Sequence, residues 1–287
     1  MTSERELSTI HLISPPAKWM HSGIPYPPLG IAYLSAIGIQ NGIGINVIDS
    51  QFSEFPEKIA NLLDKKGPQL VGISATLMQL PDSVALAKKI KASNPWSTVV
   101  FGGAGPNCLS PEQFYSYTGN SVDLVCQGEG ELTWANIMKR FLGSDNRSKE
   151  LLKPQYIFDD IQGTVLFTKD QIKINPPRAQ IQDLDTLPFP DLEAIDASRY
   201  IELWKKNGGM GSISIFPSRG CPYACVFCDK TIFGRKFRHN SPTRIVNEME
   251  RITSDYNLVE DIFFLMTICQ LREMSCLDYA KKFSLRV

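Results

Sequence analysis

Between residues 9 and 142, short continuous apolar runs alternate with stretches of helical periodicity. The runs at 9–14, 45–49, 70–75, 98–102 and 123–126 have the length and composition of strands buried on both faces. Residues 29–40 place Leu29, Tyr33, Leu34 and Ile37 on one helical face. Residues 83–92 do the same with Val84, Leu86, Ala87 and Ile90, and residues 132–141 with Ile137, Met138 and Phe141. Repeated β/α units with right-handed crossovers predict an α/β fold, a doubly wound parallel sheet of flavodoxin- or Rossmann-like type.

After residue 142 the rhythm changes. Residues 143–148 are a polar, turn-rich break, and 162–167 with 171–174 predict a small hairpin. Residues 183–191 read as an extended segment fixed by Pro188 and Pro190, with its aspartates as turn and cap residues. The apolar run 213–216 predicts another strand, Ser241-Pro242 opens a helix with Ile245, Val246, Met249 and Ile252 on one face, and 262–266 predict a further strand. The pattern divides the chain into residues 1–143 as an α/β domain, 144–208 as a linker with a hairpin, and 209–287 as a second β/α unit.

Composition narrows the function classes. Lysine plus arginine and aspartate plus glutamate number 30 each, so no general basic field favours nucleic acid. The polar start Met1-Thr2-Ser3-Glu4-Arg5-Glu6 lacks a signal-peptide core, and no apolar run approaches the roughly 20 residues that span a bilayer. Seven cysteines without a secretory start point to a reducing cytoplasm. No Ser/His/Asp or paired-carboxylate pattern is recognisable.

Three of the cysteines carry the chemistry. Ser218-Arg219-Gly220-Cys221-Pro222-Tyr223-Ala224-Cys225-Val226-Phe227-Cys228-Asp229 sets Cys221, Cys225 and Cys228 at C-x3-C-x2-C spacing on one loop after a strand. Thiolates hold iron–sulfur clusters, and three cysteines on a four-iron cubane leave one iron open to a small chelating ligand. A zinc site is the competing reading, with His239 as the nearby extra ligand, but it usually shows paired C-x2-C elements.

The run R-G-C-P-Y-x-C-x-F-C resembles the cluster loop of the radical S-adenosylmethionine (SAM) enzymes. The resemblance implies a [4Fe–4S] cluster on Cys221, Cys225 and Cys228, SAM on the fourth iron, and Phe227 beside the SAM adenine. It also implies reductive cleavage of SAM to a 5′-deoxyadenosyl radical, an electron donor such as flavodoxin or ferredoxin, and a small-molecule substrate. No catalytic group beyond the cluster ligands is assigned.

The predicted strand ends of the first domain are rich in glycine, serine and proline, where ligands of open α/β sheets bind. No G-x-G-x-x-G follows the first strand, which disfavours a dinucleotide. The ordered segments P-P-L-G-I-A-Y-L, V-G-I-S-A-T, V-V-F-G-G and V-D-L-V-C-Q-G-E-G-E resemble the vitamin B12-binding domain that precedes the radical SAM barrel in one large subfamily. That subfamily includes the anaerobic magnesium-protoporphyrin ester cyclases and methyltransferases. The resemblance implies cobalamin for methyl transfer or cyclisation, its nucleotide tail lined by Ser74, Thr76, Gly102 and Gly103.

His21 lies in the first βα loop, but Trp19 and Ile24 replace the aspartate and glycine of the D-x-H-x-x-G cobalt-ligand motif, so His21 is expected to be a loop residue. Arg235, Lys236, Arg238 and His239 read as a solvated basic loop, and Cys269 and Cys276 as incidental thiols. The resemblance implies a partial TIM barrel of several β/α units, so the sequence ending at Val287 is expected to hold only the first of them. A non-catalytic cobalamin- and cluster-binding module is the alternative.

Overall fold

The computed structural model describes residues 9–16, 26–143 and 154–265. His21, Cys269 and Cys276 lie outside these residues. Five parallel strands form the first sheet: β1 (Ile10–Ser14), β2 (Asn46–Asp49), β3 (Gln69–Ser74), β4 (Ser97–Gly102) and β5 (Leu124–Cys126). Their order, β2-β1-β3-β4-β5, is the flavodoxin order, which reverses direction between β1 and β3. The expected hairpin is present as β6 (Thr164–Phe167) and β7 (Ile172–Ile174), but as part of the first sheet and not of a separate linker. Both strands extend the sheet antiparallel beyond β5, giving seven strands.

Successive residues of a strand face opposite sides, and here both sides are apolar. Leu12, Leu70, Val100 and Leu124 face one core with α1 (Leu29–Gln40) and the inner residues Trp134, Ile137, Met138 and Phe141 of the helix Glu131–Leu142. Ile13, Val71, Ile73, Val99 and Phe101 face the other, beneath the helices Phe55–Asp64, Leu80–Ser93 and Pro111–Thr118.

Helix α1 begins and ends where its periodicity predicts, but it is buried on more than one face. Besides Leu29, Tyr33 and Ile37, the residues Ile31, Ala32, Ser35, Ala36 and Gly38 are buried. The second unit packs on the side a surface helix would give to water. Ser35 Oγ donates to Asp191 at 2.7 Å, and Ile213, Ile215, Ile245 and Ile252 continue the same core.

That second unit is a β/α/β crossover. Strand β8 (Ser212–Ile215) pairs in parallel with β11 (Asp261–Phe264), and α2 (Pro242–Asp255) connects them. Ser241 caps α2 by accepting from the Arg244 N–H at 3.1 Å, and Asp185 Oδ1 accepts the Ser241 N–H. The expected cap roles of Asp183 and Asp185 are thus seen, with Asp183 Oδ1 also accepting the Asp185 N–H. Two short antiparallel strands, β9 (Ser218–Arg219) and β10 (Arg238–His239), close the base of the cysteine loop.

Candidate cofactor site

The carboxyl ends of β1, β3, β4 and β5 open onto a cavity of about 120 Å³. Glycines create it. Gly102 has no side chain to fill the space, and a Cβ there would meet only the Cys126 Cβ, at 3.9 Å. At Gly72 a Cβ would lie 2.7 Å from Leu12 Cδ2 and 2.9 Å from Trp134 Cη2, so this position keeps the indole packed flat against β3. Gly103 has φ 86°, and its would-be Cβ lies 2.7 Å from the Ala75 carbonyl oxygen, so only glycine fits this turn. A dry cavity of roughly 150 Å³ accepts a benzene-sized ring, which puts this cavity on the scale of a flat heteroaromatic group.

Ser74, Gly102 and Gly103 line the cavity. Thr76 does not: its N–H and hydroxyl both donate to Gln79 Oε1 at 2.9 Å, capping the turn after β3. Cys126 also lines it, with burial pushing the thiol up to about 12, so it stays protonated and acts as an apolar wall. The far wall is not part of the sheet. Ile232 and Phe233, from the segment following the three cysteines, complete it.

The cysteine loop is anchored at its base and open at its tip. Gly220 has φ 81°, and a Cβ there would fall 2.0 Å from the Lys236 carbonyl oxygen, so the chain pinches between β9 and β10. Cys221 is 5% exposed and its N–H donates to Gly234 O at 3.2 Å. Cys225 and Cys228 are exposed, the Cys228 N–H donates to Cys225 O, and Lys230 Nζ lies 3.2 Å from Cys228 Sγ. Val226 and Phe227 stand 100% and 89% exposed, with no packing against the protein. Among the described residues no three His, Cys, Asp or Glu side chains converge on one point as ligands of a single ion. A cubane does not ask for that, because each thiolate binds its own iron.

Four buried charges join loop and sheet. Arg219 Nη1 donates to Glu129 Oε1 at 3.0 Å and Nη2 to Glu131 Oε1 at 2.6 Å. Arg238 Nη1 reaches both oxygens of Glu129 and the Ile181 carbonyl, while its Nη2 reaches Phe233 O. Each of the four side chains is at most 8% exposed. Burial alone would lower the Arg219 guanidinium, and Glu131 with Glu129 more than offset it. Arg238 is therefore not part of a solvated basic loop; it is 4% exposed because Glu129 and two carbonyls receive it in the interior. Arg235 and Lys236 are exposed as expected, as is His239.

The sequence reading missed this network. The signal lies in Gly128-Glu129-Gly130-Glu131, where two carboxylates alternate with the glycines and also line the cavity.

Comparison with known proteins fits this geometry. Residues 21–138 match the B12 binding domain family model. The chain is 29% identical over 258 residues to an uncharacterized methyltransferase of Pyrococcus horikoshii, covering 89% of this chain and 52% of the relative. It is 25% identical to the anaerobic magnesium-protoporphyrin IX monomethyl ester cyclase of Synechocystis, over 84% of this chain and 46% of the relative. Residues 21–138 thus carry a B12 binding domain.

Solved structures share the fold of this chain. The cobalamin-dependent SAM radical enzyme OxsB, with aqua-cobalamin and SAM bound, superposes with a TM-score of 0.71 at 20% identity, covering 98% of this chain and 37% of OxsB. The radical SAM methyltransferase TsrM of Kitasatospora setae, with cobalamin and a [4Fe-4S] cluster bound, gives 0.66 at 18% identity, over 98% of this chain and 51% of TsrM. The chain spans about half the length of the curated relatives it matches. No helix among its described residues is long and apolar enough to cross a membrane.

Proposed function

We propose that this chain is the cobalamin- and cluster-binding part of a radical SAM enzyme of methyltransferase or cyclase type. The observation that carries the reading is the shared wall: the sheet-edge cavity is closed by Ile232 and Phe233 of the cysteine loop itself. In this reading residues 1–143 are the cobalamin-binding domain, 144–208 the connection and 209–287 the first part of the radical SAM barrel.

Cys221, Cys225 and Cys228 would hold a [4Fe–4S] cluster, and Phe227 would cover the SAM adenine; its exposed ring is available for such a contact. Ser74, Gly102 and Gly103 would receive the nucleotide tail of cobalamin, where the cavity is ring-sized and its floor is backbone. When bound, the cluster supplies the electron that cleaves SAM to a 5′-deoxyadenosyl radical, and cobalamin supplies a methyl carrier or a second redox centre. The residues of the chain have simpler tasks. Gly220 and Arg219 fix the start of the loop, Cys126 and Trp134 keep the cavity apolar, and Lys230 offers a cation beside the Cys228 sulfur. Flavodoxin or ferredoxin would deliver the electron, in a reducing cytoplasm that keeps the thiols free.

A second reading, a binding module without turnover, is favoured by the open loop tip. Cys225, Phe227 and Cys228 are exposed, whereas radical chemistry needs exclusion of water. Anaerobic reconstitution followed by dithionite and SAM separates the two. Formation of 5′-deoxyadenosine, lost in Cys225→Ser, supports the enzyme; a loaded cluster that yields none supports the module.

A further inference from the structure

The cavity and the cysteine loop are not independent sites. Glu129 and Glu131 line the cavity, and the same carboxylates receive the two arginines that begin and end the loop. Arg219 stands two residues before Cys221. Arg238 closes the loop on β10 and its Nη2 also donates to the Phe233 carbonyl, so it holds a residue that walls the cavity. Gln180 Nε2 donates to that same Phe233 carbonyl at 3.0 Å. A further contact runs from the β4 edge: the Cys108 thiol hydrogen-bonds to Asp229, the residue after Cys228. At the tip Val226 is fully exposed, and the bonds of Cys228, to Cys225 O and from Lys230, stay within the loop itself.

We propose that the buried Glu131–Arg219–Glu129–Arg238 network couples the two sites, so that cobalamin in the cavity and a cluster on the cysteines each raise the affinity of the other by the same factor. Arg219 and Arg238 act as positioning residues. This rests on the cofactor assignment above and adds to it a thermodynamic link. A ligand in the cavity packs on Phe233 and Ile232 and orders the descending arm of the loop. A cluster orders the tip and, through Arg219, the carboxylates of the opposite wall. The ordering cost is shared, so whichever cofactor binds second meets less of it. Equilibrium linkage makes the effect reciprocal, and couplings through such contiguous networks run at roughly 5–150-fold.

The test measures aquacobalamin affinity by anaerobic equilibrium dialysis on the whole chain, before and after reconstitution with iron and sulfide. In the other direction it measures the rate of iron loss to a chelator with and without aquacobalamin. Wild type is expected to bind aquacobalamin at least about fivefold tighter with the cluster in place, and to lose iron more slowly when aquacobalamin is present. Arg219→Lys keeps the charge but cannot bridge both carboxylates, so each cofactor is expected to bind it singly with the ratio falling toward one. A wild-type ratio of one with both cofactors bound overturns the coupling while leaving the cofactor assignment standing. A full ratio in Arg219→Lys overturns the role of the network. Failure of either cofactor to bind overturns the assignment and the coupling together. The wild-type cycle decides the coupling even if the variant does not fold.

Discussion

Arg219 Nη1 lies 3.0 Å from Glu129 Oε1, and neither side chain is more than 4% exposed. The bond joins the residue before the Gly220-Cys221 pinch to the loop after β5, so the cysteine loop takes its position from the seven-stranded sheet. Removing one member of a buried pair leaves its partner charged and unsolvated, which costs about 3–5 kcal/mol. Arg219→Ala is therefore expected to lower unfolding stability by that order in urea titration. Asp160→Ala breaks the Arg140 pair, whose side chains are 44% and 62% exposed, and is expected to cost less than about 1 kcal/mol.

Gly102 and Gly72 both border the cavity, and their substitutions should differ. A Cβ at Gly102 meets only the Cys126 Cβ, at 3.9 Å, and the cavity lies beyond it, so Gly102→Val is expected to fold with little loss of thermal stability while filling the cavity. Its aquacobalamin should separate on gel filtration where that of wild type co-elutes. Gly72→Ala drives a methyl into Leu12 and Trp134, and overpacking of this kind costs about 1–3 kcal/mol. Co-elution of aquacobalamin with Gly102→Val would place the ligand elsewhere.

Glu248 gives the stability a pH dependence. It lies on α2, 2% exposed, and neither carboxylate oxygen has a hydrogen-bond partner. Burial raises its pKa to about 7, against a smaller opposing effect of Arg244 and Arg251. The unfolded chain ionises this group near the ordinary glutamate value, so between about pH 4.5 and 7 the unfolded state holds fewer protons and stability falls as pH rises. Glu248→Gln removes that slope. It is expected to be more stable than wild type at pH 8, by on the order of 3 kcal/mol, and similar to it at pH 4. Parallel stability curves for the two proteins from pH 4 to 8 would contradict the assignment.

Much of the fold could be read from local pattern, because the strands are buried on both faces and their apolar runs are continuous. The helices at Phe55–Asp64, Pro111–Thr118 and Ala197–Lys206 were not anticipated. The first has only Ile59 and Leu62 buried, too few to show a period. The second announces itself instead by chemistry, since Ser110 and Gln113 form a reciprocal capping box around Pro111. The hairpin β6–β7 was foreseen, but its pairing with β5 depends on a long-range register that local pattern does not carry.

The site was legible where spacing encodes chemistry and illegible where partners are distant in sequence. The three cysteines are grouped by spacing alone, because they lie within eight positions of one another on one loop. Glu129 and Arg219 are 90 positions apart, so neither side chain alone shows that it is buried, and an arginine in a loop reads as solvated. The same holds for Arg238 and for Phe233, which joins the cavity wall only once the loop folds back on the sheet.

The central claim is that Cys221, Cys225 and Cys228 hold a cubane with one iron left for SAM. The most direct measurement is the electron paramagnetic resonance spectrum of the anaerobically reconstituted, dithionite-reduced chain, recorded with and without SAM. The account predicts about four irons per chain, a reduced-cluster signal whose g-values shift when SAM is added, and no such signal in Cys225→Ser. A spectrum unchanged by SAM, or a Cys225→Ser protein loaded and shifted like wild type, would contradict it.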